Sequence, residues 1–240
     1  MLKQKIAIIG FGRFGSLLAG ILSPYGDIFI ISKRKINDTR FKQIEYKDLK
    51  EIDLIILAVP ISSLKKVLKK ISPYLKQGSV VMDVCSVKVY PCQWLKKYLP
   101  KTVHILGSHP MFGPDSVKKN LEELQIVFCP LRINKEKFDS IKNIFKTIKL
   151  KIIEITPEDH DKQNAVSLAL VHFIGRGLSK IDVDHQEITT VGFKRLLQLR
   201  DNVTNDTEEL FKDMHNFNPY AKKIREKYID SLQKIDLMLD

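Results

Sequence analysis

Three groups of residues in this 240-residue chain have the types and spacing to do chemistry. The first is Gly10-Phe11-Gly12-Arg13-Phe14-Gly15, which follows a short apolar run and opens an amphipathic one. In such a hexamer the first glycine permits a tight turn, the second lets backbone approach a pyrophosphate, and the third lets helix pack on strand. The helix N-terminus then offers its N–H groups to the anion. The spacing predicts a dinucleotide site built from the three glycines with Phe11, Arg13 and Phe14. About 20 residues on, where an NAD-specific site carries Asp or Glu for the ribose hydroxyls, this chain has Ser32-Lys33-Arg34-Lys35. No acid there repels a 2′-phosphate, Arg34 offers it a planar fork and Ser32 a hydroxyl, so NADP is the expected cofactor and NAD the alternative. Ala58-Val59-Pro60 ends another apolar run, and Val59 and Pro60 are expected to wall the nicotinamide ribose.

The second group lies at two further run ends, Asp83-Val84-Cys85-Ser86-Val87-Lys88 and Gly107-Ser108-His109-Pro110-Met111-Phe112-Gly113-Pro114. Pro110 restricts His109 to extended backbone, and the glycines and prolines are expected to fix a loop. An imidazole held there, with a pKa near neutrality, is a candidate general acid or base. The third group is His172 and Arg176, one helical turn apart on a predicted face with Asp161, Ala165 and Leu168. Leu170, Val171, Phe173, Ile174 and Leu178 form the core on the other faces. Two basic groups on so apolar a helix are costly to bury without an anion. A salt bridge to Asp161 or Glu158 is the alternative. His160-Asp161 has no further histidines at ligand spacing, so no metal is expected; Glu158, Asp159 and Asp161 are read as complementing a helix N-terminus.

The elements that must position these groups follow from hydrophobic periodicity. Nearly continuous β-branched runs at 6–9, 28–31, 54–59, 80–84, 103–106, 125–129 and 151–155 predict buried strands. Helical spacing at 14–22, 61–75, 88–98 and 135–148 falls between them, with Pro60 and Pro91 suited to helix starts. After Pro157 only helical patterns follow, at 158–180, around 186–199, and from 204 onward. The fold class is therefore α/β: an N-terminal Rossmann domain with a doubly wound parallel sheet over 1–156, and a smaller all-helical domain over 157–240. About 85 residues wrap only a small core, so these helices are expected to pair with a second subunit as a homodimer.

Composition excludes more than it assigns. Lys and Arg number 40 against 28 Asp and Glu, giving +12. Lys65, Lys66, Lys69, Lys70, Lys118 and Lys119 read as solvated helix faces rather than a nucleic-acid surface, and no nucleic-acid partner is expected. Neither a membrane span nor a secretory signal is predicted. Cys85, Cys92 and Cys129 form no C-x-x-C pair, which suits reduced thiols in the cytoplasm.

D-V-C-S-V-K and G-S-H-P-M-F-G-P, with the N-terminal glycine motif, resemble the prephenate/arogenate dehydrogenase family of tyrosine biosynthesis. The resemblance continues through Glu158-Asp159-His160-Asp161, Val171-His172-Phe173-Ile174-Gly175-Arg176, and Gly192-Phe193 to Asn216-Phe217-Asn218. It is most similar to the compact plant-type arogenate dehydrogenases. The resemblance implies oxidative decarboxylation of a cyclohexadienyl dicarboxylate, arogenate or prephenate, to tyrosine or 4-hydroxyphenylpyruvate. It implies that His109 is the base, that Ser86 orients the substrate hydroxyl and nicotinamide, and that His172 and Arg176 bind substrate carboxylate. Many bacterial members carry an arginine after the G-F-x motif; the corresponding place here is Gln198, with Arg195 and Arg200 nearby. The alternatives are another NAD(P)-dependent dehydrogenase of hydroxyacid or imine type, and a nucleotide-binding regulator without activity.

Overall fold

A computed structural model describes residues 4–117, 121–181 and 183–239, so Lys118 and Lys119 lie outside the described residues. The chain separates into two compact units, Met1–Pro157 and Glu158–Asp240.

The first unit alternates strand and helix: β1 (Gln4–Ile9), α1 (Arg13–Leu22), β2 (Gly26–Ile31), β3 (Lys42–Gln43), β4 (Leu54–Leu57), α2 (Ile61–Ile71), β5 (Val80–Asp83), α3 (Val89–Tyr98), β6 (His104–Pro110), β7 (Gln125–Arg132), α4 (Lys135–Thr147) and β8 (Lys151–Glu154). Among the described residues these strands form one eight-stranded sheet ordered β3-β2-β1-β4-β5-β6-β7-β8. Ile6, Ile8, Ile30, Leu54, Ile56 and Val81 are buried, which is why the strands read as continuous apolar runs. The amphipathic helices cover the sheet; α2 buries Ile61, Leu64, Leu68 and Ile71 and leaves Lys65, Lys66, Lys69 and Lys70 exposed. The chain turns from one side of β1 to the other between β3 and β4, so the crevice at the ends of β1 and β4 is the topological switch point.

Three details differ from the sequence expectation. β7 runs antiparallel to β6, and β8 is parallel to β7. No helix links β6 to β7 among the described residues, and a parallel return needs such a crossover. β6 continues through Ser108, His109 and Pro110, so the histidine stands in a strand rather than a loop. The two-residue edge strand β3 and the 3-10 turn Tyr46–Glu51 carry too little apolar pattern to announce themselves.

The second unit is helical: α5 (Pro157–Asn164), a π-helical segment (Ala165–Leu170), α6 (Val171–Leu178), α7 (Val191–Thr204), α8 (Glu208–Asn216) and α9 (Ala221–Asp236). The π segment closes i→i+5 bonds and so turns the following residues out of 3.6 register. Ala169, outside the predicted face, is therefore buried and Leu168 half-buried, while Leu170, Val171, Phe173, Ile174 and Leu178, expected in the core, are half-buried. Helix α7 starts at Val191 rather than near 186 because Thr190 caps it, its Oγ1 accepting from Phe193 N–H at 3.1 Å. The pattern after 204 breaks into α8 and α9 at Pro219, where the Asn218 side chain accepts from Tyr220 N–H and donates to the Asp161 carbonyl, both at 2.9 Å.

Candidate active site

The glycine motif is seated at the switch point by its own lack of side chains. Gly10 has φ +103°, and a Cβ there would stand 2.2 Å from the Ala58 carbonyl oxygen; one on Gly15 would stand 2.1 Å from the Gly10 carbonyl oxygen. The turn is held by Gly10 N–H donating to Ile31 O at 2.9 Å and Ala58 N–H to Ile9 O at 2.8 Å. Gly12 differs: nothing lies within 4 Å of the place its Cβ would occupy. It is also the N-cap of α1, whose first turn has neither a side-chain cap nor an acid. Open space over an uncapped helix start fits the pyrophosphate of a dinucleotide. Phe11 and Phe14 pack partly into the core, Phe14 with its ring 6.3 Å from that of Phe112. Arg13 pairs with Asp115 at 2.7 Å.

After β2, Lys33 and Arg34 are exposed, and Ser32 Oγ accepts from Arg34 N–H at 3.2 Å. Gln43 of the unexpected strand β3 braces this loop, donating to the carbonyls of Ser32 and Arg34 at 3.0 and 3.1 Å. Val59 is half-buried beside Gly10, and Pro60 caps α2.

At the ends of β5 and β6 the sheet register sets Asp83 against Gly107. Ser108 Oγ donates to the Asp83 carbonyl at 2.6 Å. Lys88, fully buried, donates to the Asp83 carboxylate and, at 2.5 Å, to the Ser108 carbonyl. Cys85 N–H also donates to that carboxylate, at 3.0 Å. Burial pulls the Lys88 ammonium down, but the charge of Asp83 outweighs it and the pKa is raised, so the lysine stays charged. Ser86 and His109, next in sequence to Cys85 and Ser108 of this network, are buried. Burial, then Asp83, pushes the Cys85 thiol well up, the opposite of what a nucleophilic cysteine needs. Gly107 has its own constraint: a Cβ there would meet Cys92 Sγ at 2.8 Å.

In the second unit, the intrachain partner of His172 and Arg176 is Asp206 and not Asp161 or Glu158, the alternative named from the sequence. His172 Nε2 lies 3.7 Å from Asp206 Oδ2, and Arg176 Nη2 donates to the Asp206 carbonyl at 2.5 Å. Asp161 is buried instead against His160, whose Nδ1 is 2.8 Å away, and so does not serve as a solvated helix-start acid. Burial, with Arg176 beside it, lowers the pKa of His172 to about 4, so at neutral pH it is a neutral hydrogen-bonding group and not the cation expected. Gly175 lets α6 cross α7 closely, since a Cβ would meet Val203 Cγ2 at 2.5 Å. Gln198 is exposed, as is Arg195, and Arg200 is engaged with Asp201 at 2.9 Å and the Val183 carbonyl. Sequence reasoning missed His215 and Arg225, from α8 and α9, whose side chains meet at 2.9 Å. The Arg225 guanidinium lies over Phe173, two residues before Gly175, with 5.9 Å to the ring centroid.

Comparison with known proteins gives this geometry its place. The family described as prephenate dehydrogenase, nucleotide-binding domain, matches residues 31–154, and one described as TYRAAT1-like, C-terminal domain, matches 177–240. Arogenate dehydrogenase 2, chloroplastic, of Arabidopsis thaliana is 33% identical over 98% of this chain and 68% of its own length. The chain belongs to the prephenate dehydrogenase family. Members of this family are NAD(P)-dependent oxidoreductases, and the glycine motif lies just ahead of the matched segment. A second Arabidopsis relative, arogenate dehydrogenase 1, chloroplastic, is 30% identical over 99% of the chain, which spans 39% of that relative's length. Among solved structures, Synechocystis arogenate dehydrogenase superposes with a TM-score of 0.74 at 21% identity, covering 98% of this chain and 92% of that one. Prephenate dehydrogenase of A. aeolicus, in complex with hydroxyphenyl propionate and NAD+, gives 0.79 at 20% identity, covering 100% and 91%. These two share the fold.

Proposed function

We propose that the chain catalyses the oxidative decarboxylation of arogenate, and of prephenate as the alternative substrate, with NADP as the preferred oxidant. The observation that carries this is that Ser86 and His109 are both buried, each next in sequence to a residue of one buried network that joins the neighbouring ends of β5 and β6. When bound, the nicotinamide supplies a hydride acceptor. Gly10, Gly12 and Gly15 hold the pyrophosphate, Val59 and Pro60 wall the ribose, and Ser32, Lys33 and Arg34 receive the 2′-phosphate. His109 takes the proton of the ring hydroxyl as hydride leaves the same carbon and a carbonyl develops. The bond to the ring carboxylate then breaks, carbon dioxide departs, the electron pair completes the aromatic ring, and the former carbonyl oxygen takes its proton back from His109 to become a phenol. Ser86 orients the hydroxyl by hydrogen bonding. His172 and Arg176 bind a substrate carboxylate, and Gln198 stands where a second ligand is expected. The acid Asp206 beside His172 favours arogenate, whose side chain bears an ammonium, over the keto acid.

Support for NADP is the basic, Gln43-braced loop after β2; the Saccharomyces cerevisiae relative named prephenate dehydrogenase [NADP(+)] is 28% identical over 70% of the chain. We further propose a homodimer through the second unit, because Ile229, Leu232 and Ile235 leave an apolar stripe on α9 exposed. Among the described residues no helix is long and apolar enough to cross a membrane. Cys85, Cys92 and Cys129 are buried thiols, which supports a reducing, cytoplasmic setting. The test is nicotinamide reduction by the purified protein with each of arogenate and prephenate, using NADP and then NAD. Turnover of arogenate with NADP is expected to exceed every other pair; no turnover with any pair refutes the reading.

A further inference from the structure

His215 belongs to none of the motifs above, yet its surroundings are those of a binding group. It is buried on α8, and its Nδ1 lies 2.9 Å from Arg225 Nη1. A guanidinium only donates, so Nδ1 is the acceptor and the ring proton resides on Nε2. That Nε2–H is buried and has no hydrogen-bond partner among the described residues. His172 Nδ1 and Arg176 Nε, buried in the same unit, share this condition. Two of the three border one ring: the Arg176 guanidinium lies 4.8 Å from the centre of the Phe211 ring, and that ring is 4.7 Å from the imidazole of His215. Burying one unpaired donor is costly, and native proteins hold few of them. Two certain donors bordering one ring, Arg176 Nε and His215 Nε2–H, call for an acceptor from outside the chain.

We propose that His215 is a carboxylate-binding residue for the substrate, donating from Nε2–H, and that Arg225 is the positioning residue that fixes its tautomer. The assignment rests on the dehydrogenase reading above and extends it, because a dicarboxylate needs a second set of donors beyond His172 and Arg176. Gln198, exposed on α7, does not share in this buried cluster. A neutral donor also suits a carboxylate that must leave, since it holds the anion less tightly than a permanent cation does.

The test measures KM and kcat for arogenate in wild type, His215→Phe, His215→Gln, Arg225→Met and Arg225→Lys, together with the Kd of 3-(4-hydroxyphenyl)propionate, which lacks a ring carboxylate. His215→Phe is expected to raise KM about ten- to a hundredfold, the loss of one hydrogen bond to a charged acceptor. His215→Gln keeps a donor near Nε2 and is expected to recover most of that loss, and it serves where the phenylalanine variant does not fold. Arg225→Met is expected to raise KM by a smaller factor and Arg225→Lys to restore it, a pattern that loss of packing alone does not produce. A raised KM with unchanged Kd for the probe assigns His215 to the ring carboxylate; both rising together assigns it to the side-chain carboxylate. An unchanged KM in His215→Phe with a lowered melting temperature overturns the proposal and leaves an N–H pointing at the Phe211 ring. Equal KM values in the Phe and Gln variants, both raised, also overturn it. Absence of turnover in wild type refutes instead the reading on which the proposal rests.

Discussion

Replacing Lys88 by Met removes the cation paired with the buried carboxylate of Asp83, and the consequence can be worked from the structure. Both side chains have no exposed surface, so water cannot substitute for the lost ammonium. The Asp83 carboxylate would keep the Cys85 N–H, and the buried Ser108 carbonyl would lose its lysine donor. Breaking a buried ion pair from one side costs about 3–5 kcal/mol, a large part of the roughly 5–15 kcal/mol that holds a domain folded. At a urea slope of about 2 kcal/mol per molar, the unfolding midpoint should fall by about 2 M. Removing both charges, Asp83→Asn with Lys88→Met, should recover roughly 2 kcal/mol of that loss, because the uncompensated charge has gone. Equilibrium urea unfolding of the wild type, both single variants and the double variant closes the cycle. A Lys88→Met midpoint within about 0.3 M of wild type, or a double variant no more stable than the single one, would refute the reasoning. The fold would then not depend on this pair.

Arg34→Ala should raise the KM for NADP about tenfold, as one charge-assisted contact is lost, and leave that for NAD unchanged; equal effects on both cofactors would contradict the 2′-phosphate assignment. Stability should fall with acid in a defined window. Burial, with Arg176, holds His172 at about 4 against an ordinary 6.5, and burial, Arg225 and His172 hold His215 at about 4 as well. The unfolded chain binds these protons as pH drops through 6.5 and the native one only near 4, so stability present above 6.5 is lost between those values. For His172 the loss amounts to about 3 kcal/mol, and His172→Gln should flatten the urea midpoint against pH over that range. If the proposed homodimer forms, substituting Ile229 and Leu232 by Gln should shift elution in gel filtration to the size of one chain; a wild type that already elutes as one chain would contradict the proposal.

How much of this was legible in the sequence depended on whether the signal was local. The buried strands announced themselves as β-branched runs, and the glycine hexamer carried its own steric reasons at Gly10 and Gly15. The antiparallel β7 was legible in principle, because no helical pattern separates it from β6. Lys88 was hidden by its type: in a chain with so many solvated lysines, one paired in the core reads like the rest. The π segment escaped because a fixed 100° step cannot register an inserted residue, and it leaves Ala169, outside the predicted face, buried. Gln43, Asp206, His215 and Arg225 lie on separate elements and become neighbours of their sites only through tertiary packing.

The central claim is that His109 accepts the substrate's proton, and single-turnover nicotinamide reduction in His109→Asn tests it most directly. With arogenate and NADP, the rate should fall by about two to four decades while the Kd for NADP, measured on the same preparation, stays within about twofold of wild type. An unchanged rate in His109→Asn would contradict the account.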